Sequence, residues 1–256
     1  MLELKNIKKT FNTGTINEKT LFDGFSFQMQ QGEFVSVIGS NGSGKTTMLN
    51  IISGDTLPDA GNVYFNGTDI TRQKNFRRAR KIARVFQNPA KGTCPSMTVF
   101  ENLSIFDNKL KPYNLTMGLN KARKSYYQEQ LATLGMGLED RLNVKAGALS
   151  GGQRQALALV MATLVKPELL LLDEHTAALD PKSSDTVMEL TDRLIREKGI
   201  TALMITHNLK YALDYSSRFI MLHEGEIVLE KSGQEKQAMT ADEILGSFHR
   251  LQILGD

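Results

Sequence analysis

The chain has 256 residues, with 31 Lys and Arg against 28 Asp and Glu and a formal net charge of +3, too small a surplus to argue for nucleic acid by itself. Its 41% hydrophobic and 23% charged residues exclude a disordered chain and leave a globular domain with a sizeable core. No run reaches the ~18 apolar residues of a membrane span, the opening MLELKNIKK lacks the apolar centre of a signal peptide, and a single cysteine, Cys94, excludes an internal disulfide and fits a reducing compartment.

Leu2 to Phe11 and Leu21 to Met29 alternate apolar and polar residues, which predicts antiparallel strands. Glu33 to Ile38 is a strand that runs into the glycine-rich stretch GSNGSGKTT, and Lys45 to Ser53 is a helix stopped by Gly54 and Pro58. Val63 to Phe65 is a strand with a turn at Asn66-Gly67, and Ile82 to Phe86 is another strand. Strand patterns then vanish until Leu149. A helix begins near Thr98, its N-cap, and a second covers Leu119 to Leu134, so a helical lobe interrupts the α/β core. After the helix of ALSGGQRQALALV comes Leu169 to Leu172, apolar at every position as suits a central parallel strand. Pro181 to Glu197 is a helix, Ile200 to Ile205 a strand and Asn208 to Tyr215 a helix. Phe219 to Leu229 is a hairpin turning at Glu224-Gly225, and Thr240 to Leu251 is a final helix. Strands alternating with helices predict a parallel core sheet with right-handed crossovers.

Three stretches carry chemistry. Gly39-Ser40-Asn41-Gly42-Ser43-Gly44-Lys45-Thr46, followed by Thr47, satisfies G-x-x-x-x-G-K-[ST] between a strand and a helix. Glycines let backbone N–H groups approach phosphates, and the helix N-terminus adds favourable partial charge. Lys45 reaches the β- and γ-phosphates, and Thr46 is a ligand for Mg²⁺. Asp173-Glu174 closes a buried strand, where α/β sheets bind ligands. Asp173 is placed to hold Mg²⁺ and Glu174 to orient or deprotonate a water. Ser150-Gly151-Gly152 opens a helix and, alone, is compatible with plain N-capping.

Taken together, these residues resemble an ATP-binding cassette (ABC) ATPase over nearly the whole chain. Leu149-Ser150-Gly151-Gly152-Gln153 matches the family signature. In family order follow a stacking aromatic (Phe11), a glutamine at the edge of the helical lobe (Gln87), the Asp173-Glu174 pair, the loop Ala178-Leu179-Asp180 and a switch histidine (His207). The resemblance implies an α/β fold: a P-loop, RecA-like core with a parallel sheet, an antiparallel β-subdomain and an inserted helical subdomain. Residues 1–87 and 156–256 would form the core, and 88–155 the helical insert with the signature. It implies that Phe11 stacks on adenine and that Gln87 serves Mg²⁺ or the attacking water. His207 would contact the γ-phosphate and hold Glu174. Asp180 would act across a dimer. It further implies a head-to-tail dimer or pseudo-dimer of cassettes, in which Ser150, Gly151, Gly152 and Gln153 of one chain cover the ATP held by the other. His175 departs from the proline common in the family, and no catalytic role attaches to it.

The absence of a guanine-reading Asn-Lys-x-Asp sequence argues against a GTPase. A free-standing cassette resembles the energy-coupling subunit of an importer of small solutes, with amino-acid-like cargo suggested. The resemblance implies integral membrane permease subunits, an extracytoplasmic solute-binding protein, no nucleic acid, and a place on the cytoplasmic face of the membrane. An ATPase of iron–sulfur cluster assembly is the alternative. Met97, Val99 and Phe100 are expected either to line a groove for the permease or to pack inside the lobe. Arg72, Lys74, Arg77, Arg78, Arg80, Lys81 and Arg84, with Phe76 the one interleaved aromatic, read as a solvated basic face or one near anionic lipid headgroups rather than a nucleic-acid platform.

Overall fold

The computed structural model describes residues 1–111 and 118–246. β1 (Leu2–Phe11) and β2 (Lys19–Met29) pair antiparallel, with Leu2 opposite Met29 and Leu4 opposite Phe27. Their alternation buries Leu2, Leu4, Phe25, Phe27 and Met29. β3 (Phe34–Gly39) is buried at all six positions. α1 (Lys45–Ser53) ends where Gly54 turns left-handed. β4 (Ala60–Phe65) and β5 (Thr68–Asp69) meet across Asn66-Gly67, and α2 (Asn75–Arg78) is a single turn.

β6 (Ile82–Val85) precedes α3 (Val99–Asp107), where Thr98 and Glu101 form a reciprocal capping box. The predicted helix over 119–134 begins later. Asn120 accepts from the Ala122 N–H and sets a tight turn over Lys121–Arg123, so α4 covers only Lys124–Ala132. Then come α5 (Gly151–Thr163), β7 (Leu169–Asp173), and α6 (Pro181–Lys198), which Asp180 caps. β8 (Thr201–Ile205), α7 (Leu209–Tyr215), β9 (Arg218–His223), β10 (Glu226–Ser232) and α8 (Gly233–Gln237) follow. Residues 241–246 are helical; the rest of the predicted final helix lies outside the described residues. The β9–β10 turn has Glu224 at φ 45° and Gly225 at φ 83°, the paired left-handed residues of a two-residue hairpin. Gly225 also passes so close to Leu21 that a Cβ there would lie 1.7 Å from its carbonyl oxygen.

The chain divides into two compact units. The first, Met1–Ala79 with 201–256, holds the antiparallel sheet in order β2-β1-β4-β5. It also holds strands in the order β10-β9-β3-β8, with β3 parallel to both β8 and β9. Ile38, Ala212, Phe219, Met221 and Ile244 form one of its cores. The second unit, Arg80–Ile200, packs α5 and α6 together and pairs β6 parallel to β7. Segment 88–155 lies inside this unit. Among the described residues, no helix is long and apolar enough to cross a membrane.

Two members of the basic run are not on a solvated face. Arg78 is 2% exposed and donates to the carbonyls of Ile51 and Ile52 in the last turn of α1, and to those of Thr71 and Gln73. It supplies the donors that the open carbonyls of a helix end require. Arg84 is likewise turned inward, as described below. Val99 is also fully buried, so of the three proposed groove residues it packs inside its own unit.

Candidate functional site

In the first unit the turn from β3 into α1 wraps around Lys45. The Lys45 ammonium is buried and donates to the carbonyls of Gly39 at 2.9 Å and Ser40 at 2.7 Å. Gly39 admits no side chain: a Cβ there would sit 2.3 Å from the Leu222 carbonyl oxygen and 2.8 Å from Ser43 Oγ. Ser43 Oγ is itself buried and has no hydrogen-bond partner among the described residues. Among the described residues no side chain caps the start of α1, and a helix N-terminus of this kind favours an anion. Thr46 is exposed at that end. Phe11 closes β1, 38% exposed, with Lys9 Nζ 5.6 Å from its ring centre. His207 is exposed just after β8, ahead of Asn208, which caps α7.

In the second unit β7 brings four fully buried leucines to Asp173. Arg84 Nη2 donates to Asp173 Oδ2 at 2.6 Å, and the two side chains are 10% and 13% exposed. Glu174 holds φ 47°, an uncommon left-handed backbone for a non-glycine residue, and its carbonyl accepts from the Ala177 N–H. His175 is fully buried against Thr191 of α6 at 3.0 Å. Asp180 accepts from the Ser183 side of α6, and that hydrogen bonding holds its carboxyl below the usual carboxylate range.

Ser150 caps α5: its Oγ accepts from the Gln153 N–H at 3.2 Å, and Gln153 Oε1 accepts from the Ser150 N–H at 3.3 Å. Gly152 approaches α6 so closely that a Cβ would be 3.2 Å from Ser183, and one on Gly151 would be 3.3 Å from Leu179. The signature residues and the loop after Glu174 therefore pack on each other within one unit. Gln87 is exposed, one residue beyond Phe86, whose carbonyl accepts from Gln155 Nε2 at 3.1 Å. Thus Gln155, fully buried in α5, pins the backbone just before Gln87.

Sequence reasoning missed Arg84, Gln155 and Thr191. Arg84 had a signal, since it alternates with the buried Ala83 and Val85 and so faces away from them. Gln155 had one too, as a polar residue on the apolar face of α5.

A family model described as ABC transporter matches residues 22–177, which include the Lys45 loop, the signature and the acid pair. The chain belongs to the ABC transporter family. The cassette is 49% identical, over 97% of its own length and 98% of the relative's, to the tyrosine transport ATP-binding protein of Clostridioides difficile (strain R20291). It is 36% identical to the ABC transporter ATP-binding protein YxdL of Bacillus subtilis (strain 168), over 96% and 92% of the two chains. Among solved structures it is similar to a dimeric ATP-binding cassette in a post-hydrolysis state bound to ADP and Pi. That match has a TM-score of 0.77 and 32% identity, and covers 91% of this chain and 98% of the other. The cassette is an ABC-type ATPase with the mixed α/β fold of these proteins.

Proposed function

We propose that the cassette is the energy-coupling subunit of an importer for an amino-acid-like solute, most closely an aromatic one. One observation carries this reading: the near full-length 49% identity to a tyrosine transport ATP-binding protein. Polyamine and sulfate/thiosulfate import ATP-binding proteins are also among its relatives, and the iron–sulfur assembly alternative gains no support from them. In this reading the cassette is peripheral, on the cytoplasmic face of the membrane beneath two permease subunits, with a solute-binding protein on the other side.

Lys45, the backbone N–H groups of Gly39 to Thr47 and the α1 N-terminus bind the ATP phosphates, and Phe11 stacks on adenine. The donor set of Thr46 hydroxyl, Gln87 side-chain oxygen and Asp173 carboxylate is all hard oxygen, which suits Mg²⁺. Bound Mg²⁺ supplies positive charge to the phosphate oxygens. Glu174 accepts a proton as a water oxygen bonds to the γ-phosphorus. The bond from that phosphorus to the bridging oxygen breaks, releasing ADP and phosphate. His207 holds Glu174 and the γ-phosphate in register. Ser150, Gly151, Gly152 and Gln153 cover the nucleotide of a second cassette, so ATP favours the closed dimer and hydrolysis reopens it.

Affinity capture of the tagged cassette from detergent-solubilised membranes tests the assignment. A polytopic membrane protein in near-equal amount supports it. Recovery of soluble assembly proteins alone overturns it.

A further inference from the structure

The ion pair at Asp173 has a consequence for metal binding. β6 and β7 run parallel with Arg84 opposite Leu171 and Val85 opposite Leu172, so Asp173 lies two residues beyond Leu171, on the face that Arg84 shares. The guanidinium reaches along that face to Asp173 Oδ2 at 2.6 Å. It is also seated over the Phe86 ring, 4.9 Å from its centre. Both partners are nearly buried, so the carboxylate already holds a cation in a setting where screening by water is weak.

We propose that Arg84 is a resident cation that competes with the divalent metal for Asp173. The inference rests on the reading of Asp173 as a metal ligand. A carboxylate shielded from water is costly unless it is paired, and Arg84 provides that pairing while no metal is bound. A divalent ion arriving at the same carboxylate meets a guanidinium fixed on two sides, and the two cations repel. The arginine therefore raises the metal concentration at which the site fills. Metal carried in with the nucleotide phosphates, whose negative charge offsets the repulsion, is admitted ahead of free metal.

The sign of one effect separates this from the alternative that Arg84 merely orients Asp173 for the metal. Mn²⁺ serves as the probe. Its free concentration is read by electron paramagnetic resonance in the presence of a non-hydrolysable ATP analogue, for the wild type, Arg84→Met and Asp173→Asn. The methionine keeps an unbranched chain against Phe86 and removes the charge. Competition predicts that Arg84→Met lowers the apparent Kd for Mn²⁺ by about tenfold, while Asp173→Asn raises it. Arg84→Gln, equally neutral but polar, is expected to act in the same direction and serves if the methionine variant does not fold. Weaker or unchanged Mn²⁺ binding in the neutral variants overturns the proposal while leaving Asp173 as the ligand. An unchanged Kd in Asp173→Asn overturns the ligand reading, and the competition with it.

Discussion

His175 Nε2 lies 3.0 Å from Thr191 Oγ1, with the imidazole ring fully buried. The Thr191 hydroxyl spends its one proton on the Val187 carbonyl at 2.7 Å, so it accepts from His175. The ring is therefore neutral with its proton on Nε2. The residue after Glu174 is thus tied to the middle of α6, and the departure from proline has a physical account. Proline fixes such a loop through its own ring; His175 fixes it by a buried hydrogen bond.

Burial pushes the His175 pKa down to about 4 from the ordinary 6.5. In the unfolded chain it protonates near 6.5, so between those values the unfolded state binds more protons and stability rises with pH. The contribution is complete above about pH 6.5 and is lost progressively as pH falls toward 4, amounting to roughly 3 kcal/mol. Urea denaturation of nucleotide-free protein across pH 4–7.5 should show an acid loss that His175→Gln removes. An identical pH profile in the variant contradicts the neutral buried ring.

Removing the hydrogen bond should cost both stability and turnover. His175→Ala leaves a cavity and an unpaired hydroxyl acceptor, about 2–4 kcal/mol. It also unfastens the backbone that holds Glu174 at φ 47°. ATP affinity, which the proposed function assigns to the Lys45 loop, should stay within about twofold, while kcat falls about tenfold or more. Equal losses in affinity and kcat would point to general unfolding instead.

Gly225 makes a prediction about the hairpin alone. Alanine there meets the Leu21 carbonyl oxygen at 1.7 Å and a left-handed φ, so Gly225→Ala should destabilise the protein by at least about 2 kcal/mol. Thermal melting measures it, and an unchanged Tm contradicts the packing of the β9–β10 turn against β2.

The signature loop predicts a separation of binding from turnover. Ser150→Arg places a bulky cation at the start of α5 and changes no residue of the loop that wraps Lys45. Nucleotide affinity of the monomer should be unchanged within about twofold while hydrolysis is lost, since the arginine blocks the face proposed to cover a second cassette's nucleotide. Fluorescent-nucleotide titration and phosphate release read the two quantities. Loss of monomer binding contradicts the two-chain site.

Much of this was legible in the sequence because the decisive contacts are local. The Lys45 loop closes within six residues, and the Ser150–Gln153 capping box within three. Leu169 to Asp173 announces a buried strand end by composition alone. What was not legible depends on partners far along the chain. Arg78 reads as one more solvated charge until the carbonyls of Ile51 and Ile52 arrive beside it. Arg84 needs Asp173, 89 residues on, and His175 needs the helix that carries Thr191. α2 escaped notice because a single turn of helix has no room for a 3.6-residue period.

The most direct test of the account is light scattering on Glu174→Gln with Mg·ATP. Replacing the proposed proton acceptor should remove hydrolysis and leaves the residues proposed to bind the phosphates unchanged. The account predicts a stable particle of twice the 28.5 kDa chain mass, holding one unhydrolysed ATP per chain and dispersing when nucleotide is removed. A particle that stays at 28.5 kDa with ATP bound, or turnover near the wild-type rate, contradicts it.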